Sequence, residues 1–231
     1  MKSVKIVLVL TLIAVFSGGL LALWDSHTSP LIEANMLAEL EKGIAKVLPE
    51  HDRYQKFEPE GLTCYVGYKD NQPVGVAFET SGPGFQGKVS VMVGLKPDFK
   101  EMTGIEVISQ IETPGLGTKI VDDPSNKQDS KWFPKQYKGL FTDQPLEVVK
   151  NQKAQGNYQV EAITGATISS KAVSRIISLG VAAARPQWEK IAALALHPPA
   201  PEPAAAPTEP MPPAKPKEAH LSEPEAATHS E

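Results

Sequence analysis

Ten consecutive residues, Glu161-Ala162-Ile163-Thr164-Gly165-Ala166-Thr167-Ile168-Ser169-Ser170, gather four hydroxyls around one glycine and two alanines. An apolar run follows at helical spacing, with Ile168, Val173, Ile176, Ile177 and Gly180 on one stripe. Thr164 to Thr167 therefore stand at a helix N-terminus. Unpaired N–H groups and the positive end of the helix dipole favour an anion there. Gly165 and Ala166 leave the backbone uncovered, so a bulky group can approach Thr167. The same spacing also fits a plain helix cap by Thr164 or Thr167.

A second segment with chemical potential is Glu112-Thr113-Pro114-Gly115-Leu116-Gly117-Thr118-Lys119, directly after a strand. Pro114-Gly115 suits the centre of a type II turn. As a binding loop, its glycines would admit backbone close to a ligand, Leu116 would lie against an aromatic ring and Lys119 would offset negative charge. Gly82-Pro83-Gly84-Phe85-Gln86-Gly87-Lys88 imitates a phosphate-binding P-loop. Val89 stands where that motif needs Ser or Thr, and a strand pattern follows where it needs a helix. A glycine-rich turn is the better reading, and nucleotide hydrolysis is set aside.

Other chemistries are excluded by composition. Cys64 is the only cysteine, so no internal disulfide and no Cys-ligated cluster can form from this chain alone. It lies in a strand pattern, as a buried inert thiol would. The histidines are too scattered for a metal site, and no hydrolase constellation stands out. Asp122-Asp123 and Glu39-Glu41 read as solvated faces. A net charge of −4 with scattered lysines argues against nucleic acid as a partner.

The elements that must position these segments begin with Ile6 to Leu23, uncharged and almost wholly apolar, long enough to span a membrane. Lys2 and Lys5 precede it, and Trp24 and Asp25 follow. The positive-inside rule puts the N-terminus in the cytoplasm and the remainder outside. Residues 1–25 are thus expected to be a transmembrane anchor. Residues 26–60 are expected to form a linking helix opened by Ser29-Pro30 and closed by Pro49. From Thr63 the apolar period becomes two: Val74, Val76 and Phe78, then Val89, Val91 and Val93, then Ile105, Val107 and Ile111. Asp70-Asn71 and Lys96-Pro97-Asp98 punctuate these runs as hairpin turns. A short amphipathic segment (130–140), a strand (146–150) and two terminal helical stretches complete an α+β domain over 61–196. Residues 197–231 are Pro, Ala and Glu with almost no large apolar side chain, and are expected to be a disordered tail.

Thr164-Gly165-Ala166-Thr167, with an acidic residue three positions before it, resembles the flavinylation motif of the FMN-binding family. That family includes the G subunit of the Rnf electron-transport complex and the C subunit of the sodium-pumping NADH:quinone reductase. The likeness extends to Glu112-Thr113-Pro114-Gly115-Leu116-Gly117 and to the anchor, covering Lys2 to about Trp188; Glu161 stands where the family usually has Asp. The resemblance implies FMN attached covalently, through a phosphoester, to Thr167 by a dedicated flavin transferase. It implies Thr164, Gly165 and Ala166 as the rest of the attachment motif, and Glu112, Thr113, Leu116 and Gly117 as flavin neighbours. It also implies an extracytoplasmic domain on an inner-membrane anchor, serving as electron-transfer subunit of an ion-translocating ferredoxin:NAD oxidoreductase beside the other Rnf-type subunits. Ile168-Ser169 after an initial Thr164-Gly165 favours the Rnf-type relative over the quinone-reductase one, whose motif typically begins with Ser. A different class of function is a non-redox, membrane-anchored adaptor with a degenerate flavin site.

Overall fold

A computed structural model describes residues 2–196. The stretch expected to be a disordered tail, 197–231, lies outside the described residues. The domain is mixed α+β, with one apolar N-terminal helix. Its centre is an antiparallel meander in the order β1 (Arg53–Phe57), β2 (Cys64–Lys69), β3 (Gln72–Pro83), β4 (Lys88–Leu95) and β5 (Met102–Gln110). Asp70 and Asn71 both take positive φ, 51° and 64°, as a two-residue hairpin turn requires. β4 is buried on both faces and carries apolar side chains at most positions.

Helices cover the two faces. On one, Val66, Val76, Phe78, Val91 and Val93 pack with Val173, Ile176, Ile177 and Val181 of α3 (Thr167–Ala184). On the other, Tyr65, Ala77 and Met92 pack with Ile44, Val47 and Leu48 at the end of α1 (Lys2–Val47). Glycines make that second seat close: a Cβ on Gly94 would lie 2.9 Å from the Val47 carbonyl carbon. The Thr103 hydroxyl donates to the Val47 carbonyl at 2.5 Å, satisfying a last-turn acceptor.

The direction of α1 matters for the site. Val47 meets Thr103, Lys46 pairs with Glu106 at 2.5 Å, and Gly43 lies against Ile108. α1 therefore runs antiparallel to β5, and its apolar N-terminal part leads away beyond the Gln110 end of the sheet. α1 is the one described helix long and apolar enough to cross a membrane.

Several expectations need correction. α1 does not restart at Ser29-Pro30 but runs through it. Proline's fixed φ is helical, and only the bond to the Ser26 carbonyl is lost, on an exposed surface where water can replace it. β1 falls inside 26–60, so helix gives way to sheet by Arg53; its polar, mostly exposed residues at the sheet edge hide the period-two signal. Ile111 lies beyond β5 and is exposed, because the chain has already left the sheet.

The connection into α3 is made by β6 (Glu147–Val149) and β7 (Gln159–Glu161), a two-stranded parallel pair. The Gln136 side chain, just after α2 (Trp132–Lys135), clamps the backbone of Glu161 by donating to its carbonyl and accepting its N–H. α4 (Trp188–Leu196) closes the domain, with Trp188 stacked on Phe99 at 5.3 Å.

Cys64 is fully buried in β2, and burial pushes its thiol up to about 12, so it is inert as expected. Asp123, expected on a solvated face, is buried instead. It accepts from the Ser125 hydroxyl and from Trp132 Nε1 at 3.2 Å, and lies 3.2 Å from Lys119 Nζ. Those bonds, led by Ser125, hold its carboxyl down to about 2, from an ordinary value of 3.8. A depressed carboxyl stabilises the fold above its unfolded value, and this contribution disappears as pH falls from 3.8 towards 2. Asp123→Asn is therefore expected to be less stable than the native chain at neutral pH and to lose less stability through that acid window. Denaturant midpoints across the window check this; parallel pH profiles would contradict it.

Candidate functional site

Three segments meet where β5 ends. The β3–β4 turn is closed by the Gly84 N–H donating to the Gly87 carbonyl at 2.7 Å. The β5 exit turns at Thr113-Pro114-Gly115-Leu116, with the Leu116 N–H to the Thr113 carbonyl at 3.2 Å and Gly115 at φ 73°. The third segment, Ile163-Thr164-Gly165-Ala166, repeats that construction. The Ala166 N–H bonds the Ile163 carbonyl at 3.0 Å, and Gly165 sits at φ 84°. The first two are the turns their composition predicts; the third is a turn that precedes the expected helix start.

Together they enclose a cleft of about 330 Å³. Apolar walls come from Phe85, Leu116 and Ile168, which remain 57%, 46% and 59% exposed. Three large apolar residues open to solvent around one cleft are a surface suited to a flat aromatic ligand. Thr113, Gly117, Lys150, Gly165, Ala166, Thr167 and Ser169 line the rest of it. A Cβ on Gly165 would lie 3.3 Å from Leu116 Cδ2, so glycine keeps the floor low where two walls meet.

The helix start is uncapped. Ala166 is the N-cap residue and offers no side-chain bond, which corrects the cap expected from Thr164 or Thr167. The N–H groups of Thr167, Ile168 and Ser169 are left for another acceptor. Thr167 is half-buried at the cleft, whereas Thr164 is exposed at the corner of its turn and does not line the cleft. Ser169 and Ser170 are buried and engaged: Ser169 donates to Glu112, and Ser170 donates to the Ala166 carbonyl at 3.0 Å while accepting the Ile163 N–H at 3.0 Å. Of the four hydroxyls, Thr167 alone lines the cleft without a side-chain bond among the described residues.

Two other expectations change. Glu112 does not line the cleft; its carboxylate lies beneath it, 4% exposed. Lys119 turns away, donating to Ser125 Oγ at 2.9 Å beside Asp123. Lys150, just after β6, is the cation at the cleft instead. No motif surrounds it in the sequence, and only the β6–β7 pairing brings it beside Gly165. Ile168, expected on the buried stripe, faces the cleft because α3 has not yet reached the sheet at its first turn. The set fits a planar aromatic group carrying a phosphate: apolar walls, a low glycine floor, free N–H groups and a lysine.

A family model described as an FMN-binding domain matches residues 84–181, a range that holds the cleft segments. The G subunit of an ion-translocating oxidoreductase complex from Vibrio atlanticus is 30% identical over 188 residues, covering 75% of this chain and 86% of that protein. The chain belongs to this family of G subunits. The G subunit from Methanosarcina acetivorans is 28% identical, covering 73% of this chain and 87% of its own. That of the Na(+)-translocating ferredoxin:NAD(+) oxidoreductase of Acetobacterium woodii is 36% identical over 124 residues, covering 53% and 55%. Among solved structures, the C subunit of the Na(+)-translocating NADH-quinone reductase of Parabacteroides distasonis aligns with a TM-score of 0.49 at 21% identity, covering 65% and 83%.

Proposed function

We propose that this chain is the membrane-anchored electron-transfer subunit of a ferredoxin:NAD-type, ion-translocating oxidoreductase, with FMN esterified through its phosphate to Thr167. As a member of the G-subunit family it is a redox component of a multi-subunit complex and not an enzyme by itself. The observation that carries the finer reading is the place of Thr167: of the four hydroxyls in 161–170 it alone lines the apolar-walled cleft without a side-chain bond among the described residues, and it stands at the uncapped start of α3. FMN supplies reversible electron uptake and release, while the chain supplies position and surroundings.

Each residue has a task in this reading. Thr167 supplies the oxygen that joins the phosphate, and the N–H groups of the first turn of α3, with Lys150, balance its charge. Phe85, Leu116 and Ile168 cover the ring and exclude water from part of its surface. Thr113 and Gly117 form the wall between them. Thr164, Gly165 and Ala166 form the turn that presents Thr167 to a flavin transferase. A tether through the phosphate leaves the ring unmodified, and it prevents loss of the cofactor from an open cleft.

In this reading residues 1–25 are the anchor, a helical continuation leads into the domain, and the FMN-binding domain extends to residue 196. The anchor places the domain outside the cytoplasm, because Lys2 and Lys5 precede the apolar run. Because the apolar part of α1 leads away past the cleft end of the sheet, the cleft faces the membrane and exchanges electrons with membrane-embedded partner subunits.

Protein co-expressed with a flavin transferase, then denatured and washed, should retain flavin absorbance. Colourless protein would favour the adaptor reading. Topology is tested separately at the exposed Gln128. Since Cys64 is buried and inert, a Gln128→Cys protein should react with an impermeant thiol reagent while the inner membrane is intact. Labelling only after that membrane is ruptured would reverse the orientation.

A further inference from the structure

Glu112 touches two of the three cleft segments from within the third, and it does so from beneath. Its Oε1 accepts the N–H groups of Phe85 at 2.7 Å and Gln86 at 3.2 Å; its Oε2 accepts the Ser169 hydroxyl. Its own N–H is fixed by Gln110 Oε1 at 2.6 Å. The side chain thus joins the β3–β4 turn, the β5 exit and the first turn of α3 through one carboxylate. Glycine packs around it: a Cβ on Gly117 would lie 2.8 Å from both Glu112 Cβ and Oε2, and 2.9 Å from Ser169 Oγ.

We propose that Glu112 is a positioning residue, a carboxylate clasp that sets the separation between Phe85 and Thr167 without touching the flavin. The inference rests on the FMN reading above. Its chemistry follows from the partners. Two backbone N–H groups and a hydroxyl are all donating, and a carboxylate has the acceptor capacity on both oxygens to serve them together. Burial makes the arrangement strict, since a donor left without a partner there is costly. Length is strict as well. Aspartate is one methylene shorter and cannot span from the turn to α3. Glutamine keeps the length: its carbonyl accepts the two N–H groups and its amide donates to Ser169 Oγ.

The test uses the full chain and two readouts. In flavin-free protein, amide exchange at Phe85 and Gln86 in Glu112→Ala should accelerate at least about tenfold, while the centre of β4 stays protected. With flavin transferase present, attachment to Thr167 should fall at least about tenfold in Glu112→Ala, a loss equivalent to about 1.4 kcal/mol. Glu112→Gln should restore both, with a flavin spectrum matching the native protein. Unchanged exchange at Phe85 and Gln86 would overturn the clasp. So would a Glu112→Gln protein as defective as Glu112→Ala, or accelerated exchange with attachment untouched. Should Glu112→Ala fail to fold, Ser169→Ala removes only the Oε2 partner, and it should lower attachment while leaving the Phe85 amide protected; native attachment in that protein would also overturn the proposal. If the native chain takes up no FMN, the functional reading fails, and amide exchange still decides the clasp.

Discussion

Thr167→Ala is expected to carry no covalent FMN at all, whereas Thr164→Ala keeps any FMN it acquires at Thr167. The reason lies in the state of each hydroxyl. Ser169 is held by Glu112, and Ser170 by the Ala166 carbonyl and the Ile163 N–H, so neither can reach a phosphate without breaking buried bonds. Thr164 is exposed but stands outside the cleft. Thr167 alone combines access with a place at the uncapped helix start. Folding should survive the substitution, because Thr167 makes no capping bond; a change within about 0.5 kcal/mol is expected. Absorbance of denatured protein and a denaturant titration measure the two effects. Flavin retained by Thr167→Ala would refute this assignment.

Gly117→Val is expected to damage the fold and the site together. Its Cβ would fall 2.8 Å from Glu112, a side chain already pinned on both oxygens, and 2.9 Å from Ser169 Oγ. Neither neighbour is a free end that can swing away. Overpacking of this kind costs about 1–3 kcal/mol, and here the strain pushes apart the two segments that frame Thr167. Flavin attachment should be lost with it. Gly115→Ala, two positions earlier, is the contrast. Nothing lies within 4 Å of its Cβ, so only the positive φ of 73° is strained. That costs about 1–2 kcal/mol and leaves the Glu112 contacts intact, so attachment should persist. Equal attachment in Gly117→Val and the native chain would show that the close packing beneath the cleft is immaterial.

The parts of the site that were legible in the sequence share a local cause. Pro114-Gly115 specifies a turn through one proline and one glycine, and the valine alternation of β4 specifies a strand through its own period. The helix from Thr167 to Ala184 is legible because its stripe repeats over several turns. What escaped depends on chain distant in sequence. Lys150 reaches the cleft only because β6 pairs with β7, and each of those strands is three residues long. The family resemblance gives Glu112 as a flavin neighbour. Its partners Phe85, Gln86 and Ser169 lie in two other segments, so its inward direction follows only from the assembled sheet. Asp123 reads as solvated beside Asp122, yet Trp132 folds over it. Ser29-Pro30 looks like a helix start, but helical chain on both sides overrides the loss of one exposed bond.

Peptide mass spectrometry of the native chain reads the bond between Thr167 and the phosphate of FMN without an intermediate assumption. After co-expression with a flavin transferase and proteolysis, the peptide holding Thr164 to Ser170 should carry the mass of FMN less one water. Fragment ions should place that mass on Thr167. Fragments that place it on Thr164, Ser169 or Ser170, or an unmodified peptide from protein that nonetheless binds flavin, would contradict the account.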